Sequence, residues 1–152
     1  MENKLTSVLR HIHRVAYNCN MIAKSYEDID MKFALDMIRR GRRHDISKLS
    51  IPEFTELLDT NHINFHKRLQ HHRTHNDHHP EYWTGGIKFM INAPAAAAEM
   101  VCDWKARAEE FGTSLDEWIE KSLSIYNYTT NDSIYQLIMK YKNILTQTKF
   151  KD

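Results

Sequence analysis

The chain of 152 residues carries 21 basic and 20 acidic side chains, 41% hydrophobic residues and a formal net charge of +1. That length supports one domain with its own core and excludes two of ordinary size. A charge so near zero excludes overall electrostatic attraction to nucleic acid or to a membrane surface, so neither is indicated as a partner.

Leu5, Val8, Leu9, Ile12, Val15, Ala16, Cys19, Ile22 and Ala23 recur at intervals of three and four residues. This predicts an amphipathic first helix ending near Tyr26, with His11 at the edge of its apolar stripe. Asp28 to Asp30 can cap a second helix carrying Phe33, Ala34, Met37 and Ile38, which is expected to stop near Gly41. The basic run Arg39, Arg40, Arg42 and Arg43 leads into His44 and Asp45. Its guanidinium groups either hold phosphate oxygens or simply complement the carbonyl end of a solvated helix.

Ser50, Pro52 and Glu53 predict a third helix over Pro52 to Leu58, and Asn61 can cap a fourth that carries Ile63, Phe65 or His66, Leu69 and His72. Pro80 disfavours helical geometry in His79, so His78 and His79 are expected in a loop or at a fresh helix start. Gly85-Gly86 is expected to be a flexible connection. The alanine-rich run from Ala93 to Phe111 predicts a long helix ended by Gly112, with small side chains that admit close neighbours. A capping string, Ser114-Leu115-Asp116-Glu117, opens a helix to Tyr126, and Asp132 to Leu145 forms the last one. With no strand pattern and no repeat, the expected architecture is all-α: about six to seven helices in a single domain over residues 1–152.

Cys19 and Cys102 lie on apolar stripes and are read as buried thiols in a reducing compartment. Met1 to Thr6 is polar, and no continuous apolar run is long enough to cross a bilayer, so a cytoplasmic location is expected. Oligomerisation is left open.

The ten histidines carry the chemical signal. His11, the His44-Asp45 pair, His72 and Asp103 come from four separate segments, and neutral imidazole with ionised carboxylate is the donor set of first-row divalent metals. Adjacent His and Asp suit a site in which the carboxylate bridges two ions while the imidazole ligates one. His13, His62, His66, His71 and His75 are read as solvent-facing or supporting. Trp83, Trp104 and Trp118 are read as core aromatics, with Trp83 alternatively a wall for base stacking.

The string His11-Ile12-His13-Arg14-Val15-Ala16, then His44-Asp45-Ile46-Ser47-Lys48, then Asp103, resembles the ordered pattern of the HD-domain superfamily of metal-dependent phosphohydrolases. A narrower likeness, carried by His72-Arg73-Thr74-His75-Asn76-Asp77-His78-His79-Pro80-Glu81-Tyr82-Trp83 and by Glu99 to Ala106, is to an uncharacterised family of bacteria and their phages, which would place the protein in the host cytoplasm if phage-encoded. The HD resemblance implies His11, His44, Asp45 and Asp103 as ligands of a first metal. It implies His72 with His78 or His79 at a second, and Asp45 as the bridge. The cofactor would be one or two divalent ions, with Mn, Fe, Co, Mg, Ni and Zn not distinguished. Ser47 stands where many HD proteins have Gly. The absence of Gly-Tyr-Pro after His78-His79 removes the cyclic-dinucleotide phosphodiesterase branch from what is implied.

The expected reaction is hydrolysis of a nucleotide or other small phosphate ester. Lys48, Arg42, Arg43, Arg73 and Asn76 are the expected substrate contacts, and Asp45, Lys48 and Glu81 the expected catalytic groups. Glu81 and Glu99 are also read as groups that orient ligating histidines or move protons. A di-iron oxygenase and a catalytically silent nucleotide-binding or interaction protein are the alternatives.

Overall fold

A computed structural model of the chain describes residues 3–50 and 65–147. The expected helix over Pro52 to Leu58, the cap at Asn61, and Ile63 and His62 lie outside the described residues. Within them the architecture is all-α, as expected, and no helix is long and apolar enough to cross a membrane.

Helix α1 (Lys4–Tyr26) starts where the Asn3 side chain accepts the Leu5 N–H, and it buries Val8, His11, Val15, Cys19 and Ile22 along one stripe. Helix α2 (Met31–Arg43) is capped by Asp30, which accepts the Phe33 N–H, and buries Ala34, Met37 and Gly41. Tyr26 meets Phe33 at one end of this pair, and Gly41 meets Ala16 and Cys19 at the other, so α2 runs back along α1.

Helix α2 ends at Arg43, two residues beyond Gly41 and near the expected stop. The role of Gly41 itself is close approach. A Cβ built there would lie 2.9 Å from Cys19 Cβ and 3.0 Å from Ala16 Cα, and the second of these is backbone that cannot swing aside. Gly41→Val should therefore destabilise the fold by about 1–3 kcal/mol through overpacking. At this chain length each kcal/mol lowers the melting temperature by about 2–4 °C. Thermal denaturation checks this, and an unchanged midpoint would mean that the two helices can separate without cost.

A short 3-10 turn, Ile46–Leu49, follows α2. Helix α3 (Phe65–His75) ends where Asn76 Nδ2 donates to the His72 carbonyl. Beyond it Asp77 to His79 are non-helical, as Pro80 requires, and a 3-10 turn covers Pro80–Tyr82. At Gly85-Gly86 the connection is a turn: Gly86, at φ 66°, opens a 3-10 helix (Gly86–Asn92) that buries Ile87 and Met90. Glycine supplies the positive φ that the turn needs.

Helix α4 (Pro94–Phe111) is the central element. Every residue from Ala96 to Trp104 is buried, the signature of a helix packed on all sides, and its alanines let α1 and α2 come close. Gly112, at φ 67°, ends it, with the Thr113 N–H bonded to the Ala108 carbonyl. Helix α5 (Leu115–Ile125) is capped as expected by Ser114, which accepts the Glu117 N–H. Helix α6 (Ser133–Gln147) closes the core with Ile134, Ile138, Tyr141 and Leu145. Cys19 and Cys102 are free buried thiols. Trp104 is a core residue, and Trp83 and Trp118 pack against the same core.

Candidate metal centre

Four elements deliver the donors. His11 comes from the buried stripe of α1, His44 and Asp45 from the end of α2, His72 from α3 with His78 and His79 just after it, and Asp103 from α4. None of His11, His44, Asp45, His72 and His78 is more than 3% exposed, so solvent cannot satisfy their polar atoms.

The His44-Asp45 pair depends on one backbone feature. Neighbouring side chains on a helix diverge by about 100°, and on a strand they point to opposite faces. Here Asp45 adopts the left-handed conformation at φ 51° and ψ 23°, which Asp tolerates better than most residues. The reversal turns both side chains into the same cavity, with His44 Nε2 3.3 Å from Asp45 Oδ2.

Asp45 faces a different set of histidines with each oxygen. Oδ2 lies 3.7 Å from His11 Nε2 and 3.3 Å from His44 Nε2, while Oδ1 lies 3.1 Å from His72 Nε2 and 3.3 Å from His78 Nε2. Asp103 Oδ1 completes the first set at 3.1 Å from His11 Nε2, and His79 joins the second. Among the described residues, three groups have donor atoms within 4.8 Å of one another: His11, His44 and Asp103; Asp45, His72, His78 and His79; and His44, His78 and Glu99, the first two of which converge on Asp45.

The hydrogen bonding within these groups is incomplete. Asp45 Oδ1, Asp103 Oδ1, His78 Nε2 and His79 Nε2 are buried and have no hydrogen-bond partner. Leaving such groups unsatisfied costs about 1–3 kcal/mol each. Several converging on one cavity is the pattern expected of lone pairs aimed at a common cation rather than at each other. The buried cluster could hold a metal ion.

The opposite faces of the imidazoles are well tied. His11 Nδ1 meets Glu110 Oε1 at 2.7 Å, and His44 Nδ1 meets Glu99 Oε1 at 2.9 Å. A carboxylate on Nδ1 takes the ring proton there and leaves the Nε2 lone pair facing inward. Glu99, Asp103 and Glu110 are spaced by four and seven residues and so share one face of α4.

The electrostatics are those of a dense cluster of opposite charges. Burial opposes ionisation of Asp45, yet His44 and Lys48 outweigh it and hold the carboxyl well below its usual range. Burial likewise opposes ionisation of Asp103, and His44 and His11 lower it well below the usual value. Burial resists charge on His44, but Asp45, Asp103 and Glu99 raise it well above an ordinary imidazole. His78 is raised to about 9: burial and the nearby His44 resist, while the adjacent Asp45 and Glu99 carboxylates prevail. His79, depressed to about 3 by burial and by His78, stays neutral.

Lys48 lies against the cluster, its Nζ 2.6 Å from Asp45 Oδ2. Arg43 and Asn76 line a cleft of about 270 Å³ that also reaches Asp45 and His78. Arg42 is exposed and lies outside that lining. Arg73 and Glu81 line a separate cleft beside α3. Glu81 is, after burial, the main cause that pushes the Tyr126 hydroxyl up to about 12.

A family model described as a family of unknown function, DUF5662, matches residues 56–149. The chain belongs to this family. The DUF5662 match includes His72, His78, His79, Glu99 and Asp103, whereas His11, His44 and Asp45 precede it. No curated protein and no solved structure matches the chain.

His13, His66, His71 and His75 are exposed, in line with their solvent-facing reading. Trp83 donates its indole N–H to the Asp77 carbonyl at 2.8 Å, so it braces the histidine loop. Sequence reasoning names Arg40 only as one of a basic run and assigns no role to Asp77 or Glu110. Arg40 turns inward to Glu99 and Asp77 while Arg42 and Arg43 stay exposed. The signal was present: Arg40 follows the buried Met37 by three residues, which places it on the inner face of α2.

Proposed function

We propose that the protein is a metal-dependent phosphohydrolase acting on a nucleotide or another small phosphate ester through a two-ion His/Asp centre. The observation that carries the reading is Asp45, whose two oxygens face separate histidine groups while buried donor atoms around it lack partners. The resemblance of the His11, His44-Asp45 and Asp103 string to HD-domain phosphohydrolases supports the same chemistry. Divalent ions supply an activated water and neutralise phosphate charge when bound.

The chain's own part is positioning. His11, His44 and Asp103 hold one position, and His72, His78 and His79 hold the other, with Asp45 between them. Arg43 and Asn76 border the cleft that opens onto Asp45 and His78, so they are the groups assigned to phosphate oxygens. Lys48 balances Asp45 and keeps a cation at the mouth of the cluster. Arg73 and Glu81 belong to a neighbouring cleft and are assigned no contact with the reacting phosphate.

The test is metal analysis of protein purified without a histidine tag, followed by a panel of nucleotides and simple phosphate esters with Mn²⁺, Co²⁺, Mg²⁺ and Fe²⁺. Metal-dependent phosphate release is expected. Bound iron with oxygen consumption and no phosphate release would replace this reading with an oxidative one. Tight nucleotide retention without turnover under every metal would replace it with a binding function.

A further inference from the structure

We infer that Glu99 is a positioning residue that ties the two candidate metal positions together, because one of its carboxylate oxygens is shared by a histidine from each. The inference rests on the two-ion reading above. His44 belongs to the first donor group and His78 to the second. Glu99 Oε1 lies 2.9 Å from His44 Nδ1 and 3.2 Å from His78 Nδ1. A carboxylate oxygen has the lone pairs to accept from both rings. Each ring then keeps its proton on Nδ1 and turns its Nε2 lone pair toward the cavity.

Glu99 is itself held. Its Oε2 accepts from Arg40 Nη1 at 2.9 Å, and Arg40 makes a two-pronged bond to Asp77, at 3.0 and 2.9 Å. Asp77 immediately precedes His78, so the brace closes on itself: Arg40 fixes Glu99 and also the loop that carries one of the histidines Glu99 orients. Glu99 is 4% exposed, and with a guanidinium on one oxygen and two imidazoles on the other it has no room to reorient alone. One carboxylate oxygen thus sets the orientation of a ligand at each position, and its loss is felt at both.

Glu99→Gln keeps the shape and removes this function in either amide orientation. With its NH₂ toward Arg40, two donors face each other. With its NH₂ toward the imidazoles, their protons must move to Nε2, the atoms needed as ligands. The fold has reason to survive, since Arg40 retains Asp77 and, at 3.4 Å, Asp36.

The experiment titrates metal-free protein with Co²⁺, reading its visible absorption and the heat of binding. Wild type is expected to take up two ions. Glu99→Gln is expected to weaken both positions about 10–100-fold, the scale of lost ligand-orienting contacts. The metal-free variant should still melt as a folded protein well above the temperature of the titration, which separates orientation of the ligands from loss of the fold. Weakening at one position only, or two ions bound as tightly as in wild type, overturns the inference while leaving the two-ion reading intact. A wild type that binds no ion overturns both. If Glu99→Gln does not fold, Arg40→Lys removes the two-pronged brace while keeping the charge, and it must also weaken both positions; unchanged binding there overturns the inference.

Discussion

Asp45→Asn should leave the protein with at most one bound ion and reduce metal-dependent turnover at least about 100-fold, the scale of losing a central charged group in a preorganised site. The substitution is chosen because Asn has the same shape and also tolerates the left-handed backbone at φ 51°, so the turn that aims His44 inward is preserved. What changes is the second oxygen. An amide can present one oxygen to one histidine group, and its NH₂ faces the other group without a negative charge. Asp45→Ala should lose the ions too, but it adds about 1–2 kcal/mol of backbone strain and leaves the Lys48 ammonium without its carboxylate, so its loss of activity is harder to interpret. Elemental analysis together with phosphate release checks the Asn variant. Two ions retained per chain would remove Asp45 as the bridge.

Stripping metal from the folded protein should lower its melting temperature by roughly 5–10 °C for each occupied position, and readdition should restore it. Ligand at about 100 times its dissociation constant stabilises the folded state by about 2.7 kcal/mol. For a chain of this length each kcal/mol corresponds to about 2–4 °C. The effect is specific to the folded state, because the unfolded chain does not gather donors from α1, α2, α3 and α4 into one place. It also has a clear source: the buried Asp45, Asp103, His78 and His79 atoms without partners gain them only when an ion is present. Thermal scans with a chelator, then with each divalent ion in excess, read the shift. Identical midpoints throughout would show that the cluster is a self-contained charge network.

Much of the fold was legible because helices announce themselves locally. Ser114 accepts the Glu117 N–H and Gly112 takes a positive φ because these jobs are set by residues a few positions away. The same local rule puts the end of α2 near Gly41, and the helix ends at Arg43, but the rule says nothing of what Gly41 does in the packing. Its missing side chain answers a contact with Ala16 and Cys19, more than twenty residues earlier in the chain. At Gly85-Gly86 the glycine pair marks the turn, while the burial of Ile87 and Met90 anchors the 3-10 helix that follows.

The site divides along the same line. Donor chemistry and the helix that carries each donor are properties of residue type and spacing, so His11, His44, Asp45, His72, His78, His79 and Asp103 could be named before any coordinates. The sequence alone therefore determined an all-α chain carrying a metal-like set of donors. Only the tertiary structure decided that the αL turn at Asp45 points neighbouring side chains into one cavity, that Arg40 rather than Arg42 or Arg43 reaches inward, and that Glu99 serves His44 and His78 together. Periodicity reports which face of a helix is buried. Which distant group that face meets depends on how the helices pack, and at Asp45 and Glu99 the two groups being joined come from different helices or loops.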